Sequence, residues 1–263
     1  MNSILITGAG SGIGAATARV LADRKGIRLI LLGRREKPLS DVLASLPGHR
    51  DHVMVSMDVL DVQGLQNWLS GPEANLERYP LVGVFANAGI GGPNEFGEND
   101  RWQEIIQINL TGTYNTLMCC KPHLDQSEGV KHAVVTSSVL ARFGVPRQSA
   151  YITSKTGLLG LVRSLAVEWS PKGIMVNALC PGWVDTEMAQ NSIQALADIQ
   201  GISYEQSKAQ QEEILPANRM STPDEIAQWV SFLFSGLGEG ENGPSVETLT
   251  GQALDVNSGS WMG

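Results

Sequence analysis

The sequence predicts an α/β fold, a doubly wound parallel sheet of seven strands with helices on both faces. Short apolar runs alternate with longer amphipathic stretches along the whole chain, the pattern of strands buried on both sides by helices. At 263 residues the chain suits one large core, and no repeat, low-complexity tract or composition shift divides it. Glycine, with 29 residues, is in excess and falls in short clusters, which points to backbone turns rather than flexible linkers.

The first apolar run is a strand at residues 3–7, and a glycine turn delivers it to an Ala- and Leu-bearing helix over 12–25. Arg-Leu-Ile-Leu-Leu places the second strand at 28–32, and the stretch with Leu39, Val42, Leu43 and Leu46 is a helix over 36–46. A strand at 52–57 and a helix over 61–70 follow, then the apolar strand at 81–86 and a long helix over 100–123. The fifth strand is 133–137, and the helix over 150–170 carries apolar residues on more than one side (Leu158, Leu159, Leu161, Val162, Leu165). The sixth strand is 175–179, the last helix 223–235 and the last strand 252–256. Residues 186–217 break the rhythm: they are Gln-rich and weakly periodic, with a polar tail from Tyr204 able to form a helix. An insertion of this length after a strand's carboxyl end is expected to cover a ligand site. Residues 236–248, with four glycines and a proline, are expected to form an exposed loop. The whole of 1–263 is taken as one domain.

Nineteen Lys+Arg against 27 Asp+Glu leave a formal charge of −8 at pH 7, so neither nucleic acid nor an anionic membrane is expected as a partner. No segment approaches the roughly 20 apolar residues of a membrane span. Cys119 and Cys120 are adjacent and Cys180 stands apart, which closes no disulfide framework. The four histidines are scattered and no CxxC occurs, so no metal is expected. The start runs straight into a strand pattern without a basic n-region. These features together predict a soluble, acidic protein of a reducing compartment, the cytoplasm.

Thr7-Gly8-Ala9-Gly10-Ser11-Gly12-Ile13-Gly14 joins the first strand to the first helix. Backbone amides at such a helix start form a site for a pyrophosphate. Glycines at 8, 12 and 14 spell T-G-x-x-x-G-x-G rather than G-x-G-x-x-G. In this the chain resembles the short-chain dehydrogenase/reductase family, whose members have a single-domain Rossmann-type fold and bind NAD or NADP. The resemblance makes Gly8, Ser11, Gly12, Ile13 and Gly14 cofactor-binding. About 20 residues beyond the loop an acid would hold the adenosine ribose 2′-hydroxyl of NAD. The count reaches Arg34 instead, in Gly33-Arg34-Arg35. A small residue followed by arginines leaves room and charge for a 2′-phosphate, so NADP(H) is favoured and NAD is the alternative. Ser11, where many NADP-using relatives carry a basic residue, adds no support. The resemblance further assigns Asp58 and Val59 to the adenine edge, and Asn87, Ala88 and Gly89 to the ribose side and the sheet. Ala86 replaces the first Asn of the family's N-N-A-G.

Tyr151 and Lys155, in Tyr-Ile-Thr-Ser-Lys, are four residues apart and share one helix face. A free tyrosine, with a pKa of about 10, is a poor acid or base at neutral pH, and a neighbouring ammonium favours its phenolate. Ser138 stands 13 residues before Tyr151, the interval of the family's serine, with Ser137 the weaker choice. Asn109 sits mid-helix, where Asn is otherwise unfavourable. In the family this Asn bends the helix and holds a water in the proton relay from the lysine. The resemblance thus implies Asn109, Ser138, Tyr151 and Lys155 as the catalytic set, with Tyr151 and Lys155 also touching the cofactor. Pro181-Gly182-Trp183-Val184-Asp185-Thr186 resembles the family's P-G motif. Pro181, Gly182, Val184 and Thr186 are implied on the carboxamide and phosphate side.

Residues 90–94, 140–143, Gln148, Trp183 and the 186–217 segment are expected to face the substrate. Leu140, Gln148 and Trp183 are the contacts expected beside Ser138 and Tyr151, and Arg142 or Gln148 the anchor for a substrate oxygen. The C-terminal half resembles 3-hydroxybutyrate dehydrogenases and 3-oxoacyl reductases. Leu140 and Gln148 stand, however, where the hydroxybutyrate enzymes carry the His and Lys that grip a carboxylate. The implied activity is reversible, NADP(H)-dependent reduction of a carbonyl to a secondary alcohol by hydride transfer, with Tyr151 as general acid and base. One alternative is an NAD-dependent dehydrogenase oxidising a hydroxy acid, polyol or cyclic alcohol. Another is a non-catalytic dinucleotide-binding sensor, against which the intact Ser138, Tyr151 and Lys155 weigh. A homo-oligomer, dimer or tetramer, through the helices over 100–123 and 150–170 is also implied.

Overall fold

In the computed structural model, which describes residues 1–237 and 246–263, seven strands form one parallel sheet. They are β1 (Asn2–Thr7), β2 (Ile27–Gly33), β3 (Val53–Ser56), β4 (Leu81–Ala86), β5 (Lys131–Thr136), β6 (Ile174–Pro181) and β7 (Ala253–Val256). Their order across the sheet is 3-2-1-4-5-6-7. Side chains alternate between two cores, because successive residues of a strand point to opposite faces. Ile4 and Ile6 join the core beneath α1 (Gly12–Ala22), α2 (Glu36–Ser45) and α9 (Pro223–Leu233). Leu5 joins the core beneath α3 (Val62–Leu69), α5 (Gly112–Gln126) and α6 (Ser149–Trp169). Between β1 and β4 the order reverses, so the chain leaves these two strands in opposite directions and opens a crevice at their carboxyl ends, the ligand position of open α/β sheets.

Three segments depart from the sequence expectation. β5 starts at Lys131, two residues early, because that buried ammonium is solvated by the carbonyls of Ser127 and Lys172, each at 3.1 Å. The helix expected over 100–123 is α4 (Trp102–Ile106), a π turn (Gln107–Thr111) and α5. The segment 186–217 holds two helices, α7 (Glu187–Gln200) and α8 (Tyr204–Glu213), of which only the second was expected. α7 buries Ala189, Ile193 and Ala197, a spacing of four whose two alanines give a faint hydropathy signal. α8 buries only Ser207, which donates to the Ile193 carbonyl at 3.1 Å. Most of the loop expected at 236–248 lies outside the described residues. Among the described residues no helix is long and apolar enough to cross a membrane.

Candidate active site

The loops at the carboxyl ends of the strands meet in the crevice. Gly8 and Gly12 have φ of +65° and +52°, which favour glycine. A Cβ on Gly14 would collide with the Gly8 carbonyl, and one on Gly8 would come within 3.0 Å of the Ala88 backbone. The glycine loop therefore lies directly on Asn87 and Ala88. Thr7 secures this contact: its hydroxyl accepts from the amides of Asn87 (2.9 Å) and Ala88 (3.0 Å), and the Asn87 side-chain amide donates to its carbonyl. Thr136 donates to Asn87 Oδ1 at 3.0 Å, so the ends of β1, β4 and β5 are tied together. Ser11 occupies the N-cap of α1 and its side chain caps none of that helix's amides. The first turn of α1 thus presents backbone donors to an anion.

Arg34 and Arg35 extend this surface. Arg34 Nη1 lies 3.8 Å from Asp58 Oδ2, and Arg35 Nη2 lies 3.5 Å from Ser11 Oγ and 3.9 Å from Glu187 Oε2. Ser11, expected in the glycine loop but without weight in the choice of NADP, stands beside Arg35. Val59 is buried against Gly112 at the start of α5, which leaves its backbone rather than its side chain to face a ligand. A pyrophosphate acceptor at the α1 amides and two guanidinium groups at the far end of the crevice together fit a phosphorylated dinucleotide.

On the other side of the crevice Ser138 follows β5, caps the short turn Val139–Ala141 and accepts from the Leu140 amide at 3.1 Å. Ser137 is buried and donates to the Lys155 carbonyl (2.8 Å), a structural bond. Lys155 is buried, donates to the Thr136 carbonyl at 2.8 Å and lies 5.6 Å from the centre of the Tyr151 ring. Burial draws its pKa down to about 8, against a small opposing effect of Cys180. Burial pushes the Tyr151 phenol above its ordinary value, and the hydrogen bond with Ser138 opposes the rise. The depression expected from the nearby lysine does not accompany these two effects, and the Ser138 bond is what opposes the burial. Asn109 lies in the π turn, fully buried. Its Oδ1 accepts from the Ile90 amide (2.8 Å), and its Nδ2 donates to the Ile90 carbonyl (3.0 Å) and Ser154 Oγ (3.2 Å). Gly89 passes so close that a Cβ would stand 3.1 Å from Asn109 Oδ1 and 3.5 Å from Lys155 Nζ.

At the end of β6, Pro181 pairs with Val256, and Gly182 just beyond it has Asn257 backbone where a Cβ would be. Val184 is buried, and Thr186 caps α7, with its methyl group 3.2 Å from where a Cβ on Gly12 would sit. Leu140 and Gln148 are half-buried near Ser138 and Tyr151 in the chain. Trp183 packs with Ile193, Leu215, Met220 and Tyr204 beneath the two helices of the 186–217 segment. Two expectations about the substrate side are corrected. Arg142 is no free anchor for a substrate oxygen: it pairs with Asp255 at 3.1 Å, donates to the Ala253 carbonyl and stacks on Trp261. Asn94 does not open onto a substrate; it is buried and bonded to the start of α6. Met188 and Glu187 went unrecognised in the sequence. Met188 leans on Gly91, whose added Cβ would lie 3.1 Å from the sulfur.

Residues 2–197 match the short chain dehydrogenase family. A putative ketoacyl reductase of the monensin polyketide synthase from Streptomyces virginiae is 32% identical, with 97% of this chain and 95% of that protein covered. The cis-4-hydroxycyclohexanecarboxylate dehydrogenase of Sinomonas cyclohexanicum is 34% identical over 88% of each. Among solved structures, an actinorhodin polyketide ketoreductase variant with NADPH superposes with a TM-score of 0.86 at 30% identity, covering 98% of this chain and 97% of that one. The chain belongs to the short-chain dehydrogenase/reductase family and is an oxidoreductase with its fold.

Proposed function

We propose that the protein is an NADP(H)-dependent reductase that converts a carbonyl to a secondary alcohol, reversibly, with Tyr151 as general acid and base. The observation that carries this reading is the Tyr151 phenol, hydrogen-bonded to Ser138 and with its ring centre 5.6 Å from the Lys155 ammonium, facing a crevice with two arginines at its other end. When bound, the nicotinamide supplies the hydride. Ser138 holds the substrate oxygen, and Tyr151, kept protonated by burial, gives its proton to that oxygen as charge develops. Lys155, with a pKa of about 8, is mostly an ammonium at neutral pH, so it can hold the ribose hydroxyls and support the phenolate that remains. Asn109 fixes the Gly89–Ile90 turn against α6. α7 and α8 cover the substrate. Arg34, Arg35 and Ser11 bind the 2′-phosphate, and the ketoreductase relatives support the reductive direction.

A second reading, NAD-linked oxidation of a cyclic hydroxy acid, draws on the Arg34–Asp58 pair and on the cyclohexanecarboxylate dehydrogenase relative. Fluorescence titration with NADPH and NADH decides between them. The expected result is NADPH binding at least tenfold tighter than NADH, with the preference abolished in Arg34→Asp. Equal binding of the two by the unaltered protein would replace the first reading with the second.

A further inference from the structure

The catalytic helix α6 does not cap itself. Its N-cap residue, Gln148, offers no side-chain acceptor to the amides of the first turn. The acceptor comes from the loop after β4, where Asn94 Oδ1 takes the Ala150 amide at 2.8 Å and the Ser149 hydroxyl at 3.1 Å. Asn94 is itself held firmly: it is 9% exposed, its amide donates to the Arg147 carbonyl (2.9 Å), and its Nδ2 donates to Asp100 Oδ1 (3.3 Å). Arg147, at φ +62°, and its ion pair with Glu95 at 2.9 Å close a second link between the same two loops. The residue after Ala150 is Tyr151. Lys155, one turn further on, has its own supports in Thr136, Ser137 and the buried Ser154–Asn109 contact. The first turn of α6 is therefore the part of the catalytic helix that depends on Asn94, because unpaired amides at a helix start fray unless an acceptor is supplied.

We infer that Asn94 is a positioning residue, which caps α6 from across the site and so holds Tyr151 at its working distance from Ser138 and Lys155. The inference rests on the proposed role of Tyr151. It also gives the loop after Asn87-Ala88-Gly89 a second task, because a cofactor that orders this loop orders the start of the catalytic helix as well.

The test follows the tyrosinate ultraviolet absorbance of the NADP⁺-loaded protein against pH, with Tyr151 identified as the transition missing in Tyr151→Phe. In Asn94→Ala the Tyr151 transition moves downward toward the ordinary tyrosine value, because a frayed first turn relieves the burial that raises it. Turnover of a cyclic ketone such as cyclohexanone falls about 10- to 100-fold, the effect of a slightly misplaced catalytic group, while the NADPH Kd changes less than twofold. Asn94→Asp retains the acceptor but not the bond to Asp100, and it returns the transition to within a few tenths of a unit of the unaltered protein. A transition unmoved in Asn94→Ala, or moved equally in Asn94→Ala and Asn94→Asp, overturns the inference. Should Asn94→Ala not fold, Asn94→Ser, with its shorter hydroxyl, is compared with Asn94→Asp in the same way. If Tyr151→Phe keeps full turnover, the acid–base reading fails and takes the inference with it; if Tyr151→Phe is inactive and Asn94→Ala is unaffected, the inference alone fails.

Discussion

At Tyr151 desolvation and hydrogen bonding pull in opposite directions, and burial prevails, so the phenol stays protonated at neutral pH. Tyr151→Phe removes the proton but little of the ring's contact area. Its turnover should drop by roughly 10²–10⁴, the worth of a positioned general acid, with NADPH binding within a factor of two, measured by steady-state kinetics beside a fluorescence titration. Gly14→Ala acts elsewhere: its Cβ would collide with the Gly8 carbonyl, so the loop must open and NADPH affinity should drop more than tenfold while far-ultraviolet circular dichroism is unchanged. Both positions were legible in the sequence, because a tyrosine four residues from a lysine and a glycine inside a strand-to-helix turn carry their geometry locally. Arg142 was not legible. Its partners Asp255 and Ala253 lie more than a hundred residues away in sequence and reach it only through the β6–β7 pairing, so its side chain looked free when it was not.

The elements show the same division between local and distant causes. All seven strands were legible as short apolar runs, since a parallel sheet covered on both faces leaves no polar alternation to confuse them. α7 was not, because two of the three residues it buries are alanines and its amphipathic face is narrow. Its ends are written more plainly: Thr186 caps the start, and Gly201, at φ +67°, stops it. Ser203 and Gln206 then form a reciprocal capping box that opens α8. The π turn in the long helix was foreseen only as a bend at Asn109, since a single Asn marks the place but not the extra residue. α7 also brings Glu187 in its first turn to 3.9 Å from Arg35, across the crevice. On the proposed NADP(H) reading, that carboxylate would compete with a 2′-phosphate for the same guanidinium. Glu187→Gln should therefore tighten NADPH binding by roughly two- to fivefold at low salt, in keeping with an exposed pair, and leave NADH binding unchanged. The gain should shrink as ionic strength rises, and tightening of both cofactors alike would show that Glu187 acts on the helix rather than on Arg35.

For the molecule as a whole, the sheet's interior sets a limit at the acid side. His132 lies in β5, 1% exposed and edge-on to Phe234, and its Nδ1 finds no hydrogen-bond partner among the described residues. Burial draws its pKa from 6.5 down to about 4, with Glu247 opposing weakly. The unfolded chain takes up a proton on this imidazole below about pH 6.5, whereas the folded chain refuses it until about pH 4, so the unfolded state binds more protons between those values. The stability associated with a neutral His132 is thus complete above pH 6.5 and is lost as pH falls toward 4, a change on the order of 3 kcal/mol at most. His52 and His123, also lowered by burial, act in the same direction. The exposed Glu225, held near 2 by hydrogen bonds from Arg219 and Thr222, loses its contribution only in a more acidic range, so the two effects separate on a pH axis. Urea unfolding at pH 7.0, 5.5 and 4.5 should show a falling midpoint for the unaltered protein. His132→Leu fills most of the same volume without a titrating group, and its midpoint should fall much less over that range. Parallel decline in both proteins would place the acid sensitivity in the carboxylates instead of the core of the sheet.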